Sequence, residues 1–204
     1  MQETLFSDEA IATPVNLLRR LRQDASASED ARARHLELAR CDSKIAVRLV
    51  MAWHSRLPRC QWGPWQYAFV AHIDGYIYAA ALWNNPSARM LPGHWLELRR
   101  MACAPDAPKN AASRFLSMMT TYFAEVAPDR ERCISYQDTA VHSGTIYKAA
   151  GWTPTHLSTP RILDRSKDRV GTSRKYRQSI NGLEPDASAK QRWEKPLHCR
   201  LTGT

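Results

Sequence analysis

Two runs rich in β-formers, YAFVAHI (67–73) and YIYAAALWN (76–84), are separated only by Asp74-Gly75. An Asp-Gly pair between such runs predicts a two-residue hairpin, whose turn needs positive φ at both positions. Antiparallel pairing is therefore fixed for this part of the chain. The next elements pair differently. HWLELRRMACA (94–104) reads as a strand, PDAPKNAASRFLSMMTTYFAEVA (105–127) as a helix entered near Pro108, and RCISYQD (132–138) as a strand. A strand–helix–strand passage implies parallel strands joined by a crossover helix. Both kinds of pairing in a chain of 204 residues predict a mixed central sheet with helices packed on it, of class α/β (α+β).

The flanking stretches extend this pattern. SKIAVRLVMAWHS (43–55) has apolar spacing suited to a helix starting near Asp42 or Ser43. AVHSGTIYKAAG (140–151) reads as a helix closed by Gly151, with one more strand expected around 155–163. Residues up to about 40 are polar and read as helix with loose ends. Three parts result: an N-terminal segment (1–41), a catalytic-type domain (42–160) and a basic C-terminal extension (161–204).

Charge narrows the partners. Lys and Arg number 29 against 20 Asp and Glu, for a formal net charge of +9. Beyond Pro160, eleven Lys or Arg face five acids, so that segment holds six of the nine excess charges. Such a balance suits a polyanion such as nucleic acid, while a CoA-type cofactor or solubility would use part of it. The five cysteines (Cys41, Cys60, Cys103, Cys133, Cys199) are scattered without a C-x-x-C pair, which suits reduced thiols. No apolar run approaches the ~18 residues of a membrane span. The N-terminus lacks the basic-then-apolar pattern of an export signal, so a cytoplasmic protein is expected.

Three stretches could carry chemistry. In CAPDAPKNAASRF, a helix starts with small residues after a strand, and its unpaired N–H groups would seat a pyrophosphate. Ala111 and Ala112 allow close approach, Lys109 adds charge, and Asn110 and Ser113 add hydrogen-bonding groups. An ordinary capped crossover helix would look the same, and the glycine-rich loop usual in acetyltransferases is missing. In ISYQDTAVHSGTIYKAAGW (134–152), Asp138 ends a strand and Tyr147 rides the following helix. A phenol with pKa near 10 is a suitable acid for a departing thiolate. Core packing for Tyr147 and dipole complementation for Asp138 are the plainer readings. In MAWHSRLP, His54 could be a general base or a structural histidine. Arg99 and Arg100 end a buried strand, and alternation sends them to opposite faces.

WHSRLP, LELRRMACAPDAPKNAASRF and SYQDTAVHSGTIYKAAGW, in this order, resemble the phage Mom family of DNA adenine-modification proteins over roughly residues 44–157. The resemblance implies a GNAT-type acetyltransferase fold. It also implies conversion of the N6 amine of adenine in duplex DNA to a carbamoylmethyl derivative, which protects phage DNA from host restriction. By motif, His54, Arg100, Asp138 and Tyr147 match the family's histidine, strand arginine, strand-end acid and helix tyrosine. Asn110 and Ser113 match its crossover-helix entrance. Two positions depart: Ser55 stands where the family usually has tyrosine, and Val141-His142 replaces a Gly-His pair.

The resemblance therefore implies catalysis by Asp138, Tyr147, His54 and Arg100, with acetyl-CoA held by Lys109, Asn110, Ala111, Ala112 and Ser113. Simple acetyl transfer does not make a carbamoylmethyl group, which leaves open a second cofactor or an iron-assisted step. Double-stranded DNA is the expected partner, gripped by Arg174, Lys175, Arg177, Lys190 and Arg192; Trp62 and Trp65 could stack on a flipped base or fill its gap, and core anchoring explains them equally well. A bacterial host's cytoplasm is the expected location, no membrane is involved, and a homodimer is left open. Two other readings compete: an acyltransferase acting on a small amine or a protein, and a DNA-binding accessory protein with a decayed cleft.

Overall fold

The computed structural model describes residues 31–54, 60, 63–158 and 189–197. After a single 3-10 turn at Ala33–His35 come strand β1 (Glu37–Arg40) and helix α1 (Ser43–Trp53). Asp42 caps α1, its carboxylate accepting the Lys44 N–H at 2.7 Å. Strands β2 (Tyr67–Ile73) and β3 (Tyr76–Asn84) form the expected hairpin, with Asp74 and Gly75 at φ 50° and 81°. Strand β4 (Leu96–Cys103), helix α2 (Ala111–Val126) and strand β5 (Arg132–Asp138) make the crossover. Helix α3 (Thr145–Ala149) and strands β6 (Thr153–Leu157) and β7 (Lys190–Pro196) complete the described chain.

The seven strands form one sheet in the order β1-β2-β3-β4-β5-β7-β6. Only the β4–β5 pair is parallel. One face is covered by α1, whose Ile45, Leu49 and Val50 bury against Val70, Ala80, Leu82 and Ala102. The other face carries α2 and α3, with Phe115, Leu116, Met119 and Phe123 packed on Phe69, Tyr78, Trp83 and Leu96. The mixed sheet with helices on both faces agrees with the fold class read from sequence. Among the described residues, no helix is long and apolar enough to cross a membrane.

Three elements differ from expectation. Residues 37–40 are a strand rather than helix, because they hydrogen-bond the open edge of β2 and bury Ala39 against α1. The helix expected from residue 140 starts only at Thr145, since Gly144 precedes it in a left-handed conformation. Lys190–Pro196, read as part of the extension, is a sheet strand paired along its length with β5. Its alternation explains this: Trp193 is buried at 2% exposure on the α3 side, while Lys190, Arg192 and Glu194 share the opposite face. The boundary drawn at residue 160 therefore does not close the sheet.

Candidate functional site

A cleft opens where β4 and β5 part. Their ladder holds only three pairs, Leu96–Cys133, Glu97–Ile134 and Leu98–Ser135. Beyond it, Arg99–Cys103 and Tyr136–Asp138 have no pairing to one another. A bulge starts the divergence: Trp83 pairs with Leu98 and Leu82 with Arg100, leaving Arg99 as the extra residue. A bulge bends its strand and raises the local twist, which draws β4 away from β5. The result is a V-shaped opening at the strands' carboxyl ends, where ligands of such sheets collect.

The vertex of this V holds a phenol. Tyr147 Oη lies 2.9 Å from Ser135 Oγ, on the last β5 residue paired to β4. The ring is clamped, stacked on Trp193 at 5.3 Å and 10° and meeting Trp152 edge-on at 5.7 Å. Gln137 fixes Trp193 in turn, accepting its indole N–H at 2.6 Å and donating to the His142 carbonyl. Burial pushes the Tyr147 pKa up, opposed by the Ser135 hydrogen bond. The phenol therefore stays protonated through neutral pH.

On the same side of the sheet, α2 begins after the end of β4. Asn110 adopts φ 68°, and its side chain caps nothing. Asparagine tolerates this left-handed geometry better than most residues. The Ala111 and Arg114 N–H groups bond to the Pro108 and Asn110 carbonyls, while Ala112 and Ser113 occupy the open turn between. No acid lies in the first turn. Ser113 Oγ donates to the Asn110 carbonyl at 3.1 Å, and Lys109 is exposed. Tyr76 steadies the approaching loop by donating to Asp106 at 2.5 Å. An uncapped, acid-free helix start suits a diphosphate.

The opposite face is different in kind. Near the end of α1, His54, Arg100 and Cys60 gather, and His142 approaches from beyond β5. Burial, then Arg100, then His142 lower the His54 pKa, so its imidazole is neutral at pH 7. Arg100 Nε is buried without a hydrogen-bond partner among the described residues. Beyond α1, this face of β5 and β7 carries Arg132, Tyr136, Asp138, Lys190, Arg192 and Glu194, with Ile134 buried among them. Lys190 pairs with Asp138 at 2.8 Å. Arg192 pairs with Glu194 at 2.8 Å, and Arg132 shares the same carboxylate. Burial raises the Glu194 pKa, but the Thr155 hydrogen bond and both guanidiniums outweigh it and hold the carboxyl low.

A sequence model of the Mom protein family matches residues 35–197, well over half of the chain. The chain belongs to the Mom protein family. The match runs through β7, in agreement with that strand's place in the sheet. Solved structures similar to this Mom family member are N-acetyltransferases. A Vibrio cholerae spermidine N-acetyltransferase variant aligns with a TM-score of 0.55 at 10% identity, covering 83% of this chain and 98% of that one. A Streptococcus pneumoniae acetyltransferase of the GNAT family gives 0.51 at 11% identity, covering 80% and 99%. A Staphylococcus aureus N-acetyltransferase gives 0.52 at 9% identity, covering 79% and 97%. At such identities the likeness is one of fold, and the fold is GNAT-like. No individual curated protein matches the chain.

The structure divides the sequence candidates between the two faces. Tyr147 and the 109–113 stretch lie on the α2 side, whereas His54, Arg100 and Asp138 lie on the α1 side. Asp138 and Tyr147 do not meet: side chains 135 and 137 point toward α3, while 136 and 138 point away. Asp138 also accepts the Ala140 N–H at 3.0 Å. Lys190 and Arg192 hold ion pairs in the sheet, and Arg174, Lys175, Arg177 and Trp62 lie outside the described residues. Trp65 packs against the α1-side core. Among the described residues no three His, Cys, Asp or Glu side chains converge to hold a metal ion, so no iron site is assigned. Ser135, Tyr136, Gln137 and Trp193 were not singled out from sequence for this site. Strand alternation across 134–138 and 190–196 is the one signal that could have exposed them.

Proposed function

We propose that this protein transfers a two-carbon unit to the N6 amine of adenine in duplex DNA, as a step toward a carbamoylmethyl product that blocks restriction. The carrying observation is the Tyr147 phenol, clamped at the point where β4 and β5 part, in a chain of the Mom protein family. Acetyl-CoA, the donor that the fold suggests, would supply an activated acyl carbon and a thiolate leaving group. The Ala112 and Ser113 N–H groups would seat its diphosphate, with the small Ala111 allowing close approach and Lys109 close by. The unpaired edges of Arg99–Cys103 and Tyr136–Asp138 would accept its extended arm by strand-like pairing.

The acceptor amine enters from the other face. Its lone pair is delocalised into the adenine ring, so positioning and proton removal are the help it needs. Neutral His54 supports the role of proton acceptor, since burial, Arg100 and His142 all keep it unprotonated. Asp138, held by Lys190 and Ala140, suits orientation of the amine better than free proton exchange. Tyr147 donates its proton on the thiolate side. Arg132, Lys190, Arg192 and the basic residues 174, 175 and 177 supply a surface for phosphates, with salt-sensitive affinity. The amide nitrogen of a carbamoyl group is absent from an acetyl unit, and N6 is joined to that group's methylene rather than to its carbonyl carbon. The product therefore takes a separate nitrogen donor at the acyl carbon as the thiolate leaves, and a two-electron oxidant for the N6–methylene bond.

Nucleoside mass spectrometry tests the reading. Genomic DNA from bacteria expressing the protein should contain deoxyadenosine heavier by a carbamoylmethyl group, and the signal should fall with D138A. Unmodified DNA from cells holding soluble protein would refute it in favour of an acyltransferase on a small amine.

A further inference from the structure

Ser135 holds the last rung between β4 and β5, so Tyr136 is the first β5 residue past their parting. Strand alternation turns Ser135 toward Tyr147 and sends Tyr136 to the acceptor face, between Ile134 and Asp138. The two tyrosines stand back to back at the vertex, one on each face of the sheet. Asp138 lies two residues, about 7 Å, farther along the same strand face. Arg100 and His54, across the opening on β4 and at the end of α1, belong to this face as well.

Tyr136 is an aromatic residue outside any core. The apolar cluster under α1 draws its strand residues from β1 to β4 and takes none from β5 or β7. The Tyr136 ring is half-buried, and among the described residues no other aromatic ring and no overlying cation meets it. Its hydroxyl end is tied down. Arg192, the cross-strand partner, donates to the phenol oxygen. Arg192 Nε is held in turn by Glu194 at 2.8 Å and by Thr155 Oγ1 at 3.4 Å. Glu194 also accepts from Thr155 at 2.7 Å and from Arg132. A network across β5, β7 and β6 thus fixes the direction of a ring whose faces have no aromatic partner.

We propose that Tyr136 is the stacking platform of the acceptor site: the flipped adenine lies against the Tyr136 ring, which holds the base on this face beside Asp138. The inference rests on adenine in duplex DNA being the acceptor. A base taken out of the duplex loses its stacking neighbours, and an aromatic side chain in the receiving pocket restores one. A ring already held in place by Arg192 loses little conformational freedom when the base arrives. Because every base has a π-face, the platform retains the base, while the polar groups around it read its edge.

Paired duplexes test the platform without turnover. The two members of a pair differ at one position, with adenine in one and an abasic site in the other, and the pairs are tiled along a sequence. Anisotropy with full-length protein at fixed salt gives the affinity ratio within each pair. Wild type should favour the adenine member by about 5- to 100-fold at its best position. Y136L should bring that ratio close to one and leave the abasic member's affinity within twofold, whereas Y136F, which keeps the ring, should retain the ratio. A purely structural role would weaken both members alike, and that result would overturn the platform. So would a ratio that survives in Y136L, or its absence in wild type. Modified deoxyadenosine in cells without any such ratio would remove the platform and leave the proposed function standing. A Tyr136-dependent ratio with unmodified cellular DNA would do the reverse.

Discussion

Tyr147→Phe separates chemistry from packing at the cleft vertex. The substitution removes one oxygen and leaves the ring, so the stack on Trp193 at 5.3 Å and the edge contact with Trp152 at 5.7 Å persist. What is lost is the 2.9 Å hydrogen bond to Ser135, a residue only 3% exposed. A neutral hydrogen bond contributes about 1 kcal/mol net, and an unsatisfied buried hydroxyl brings the cost toward about 2 kcal/mol. A positioned general acid contributes roughly 10²–10⁴-fold in rate, or about 3–5 kcal/mol of barrier. The effect on modification should therefore exceed the effect on stability. The assay is the modified fraction of deoxyadenosine in cellular DNA at matched levels of soluble protein, paired with urea denaturation of the purified variant. Ser135→Ala is the control, since it breaks the same hydrogen bond but keeps the phenol, and should lower modification by less than tenfold. Burial raises the Tyr147 pKa, so its native-state advantage is full below about pH 10 and lost as pH rises above that. Y147F within twofold of wild-type modification would refute the acid role.

Two other substitutions test the scaffold around the site. At Gly144, φ is +75° and an added Cβ would collide with Trp193 and stand 2.7 Å from Gln137 Oε1. G144A should cost about 2–4 kcal/mol, combining left-handed strain with overpacking, and lower the melting temperature by several degrees in calorimetry. For His54, a pKa below its usual 6.5 means stability present above about pH 6.5 and lost as pH falls through the lowered value. H54N should flatten the stability-against-pH curve between pH 7 and 5, read by urea midpoints.

The sequence made the fold legible wherever local chemistry is strong. Asp74-Gly75 located both hairpin strands to the residue, and Asp42 located the start of α1. β7 was hidden because its charged residues read as a solvated tail. Those charges are instead sheet residues paired with Asp138 and Glu194, and 32 residues separate the strand from β6. Helix α3 was drawn too long because Gly144 looked interior to a helical stretch, whereas its positive φ makes it the entrance. The site was half legible. The strand-end acid and the helix tyrosine stand out as residues, but the two-residue period of β5 sets Asp138 on the face away from Tyr147. Ser135 carries only the strand-alternation signal, since its role depends on being the last residue in register with Leu98.

The central claim is a single cleft served from two faces, donor at the α2 start and acceptor on the polar face. Amide hydrogen exchange of the full-length protein, with acetyl-CoA alone and with duplex DNA alone, tests it most directly. Acetyl-CoA should protect 99–103 and 111–114, and DNA should protect 136–138 and 190–192. Protection of the same segments by both ligands, or no protection at 111–114 by saturating acetyl-CoA, would contradict the two-faced cleft.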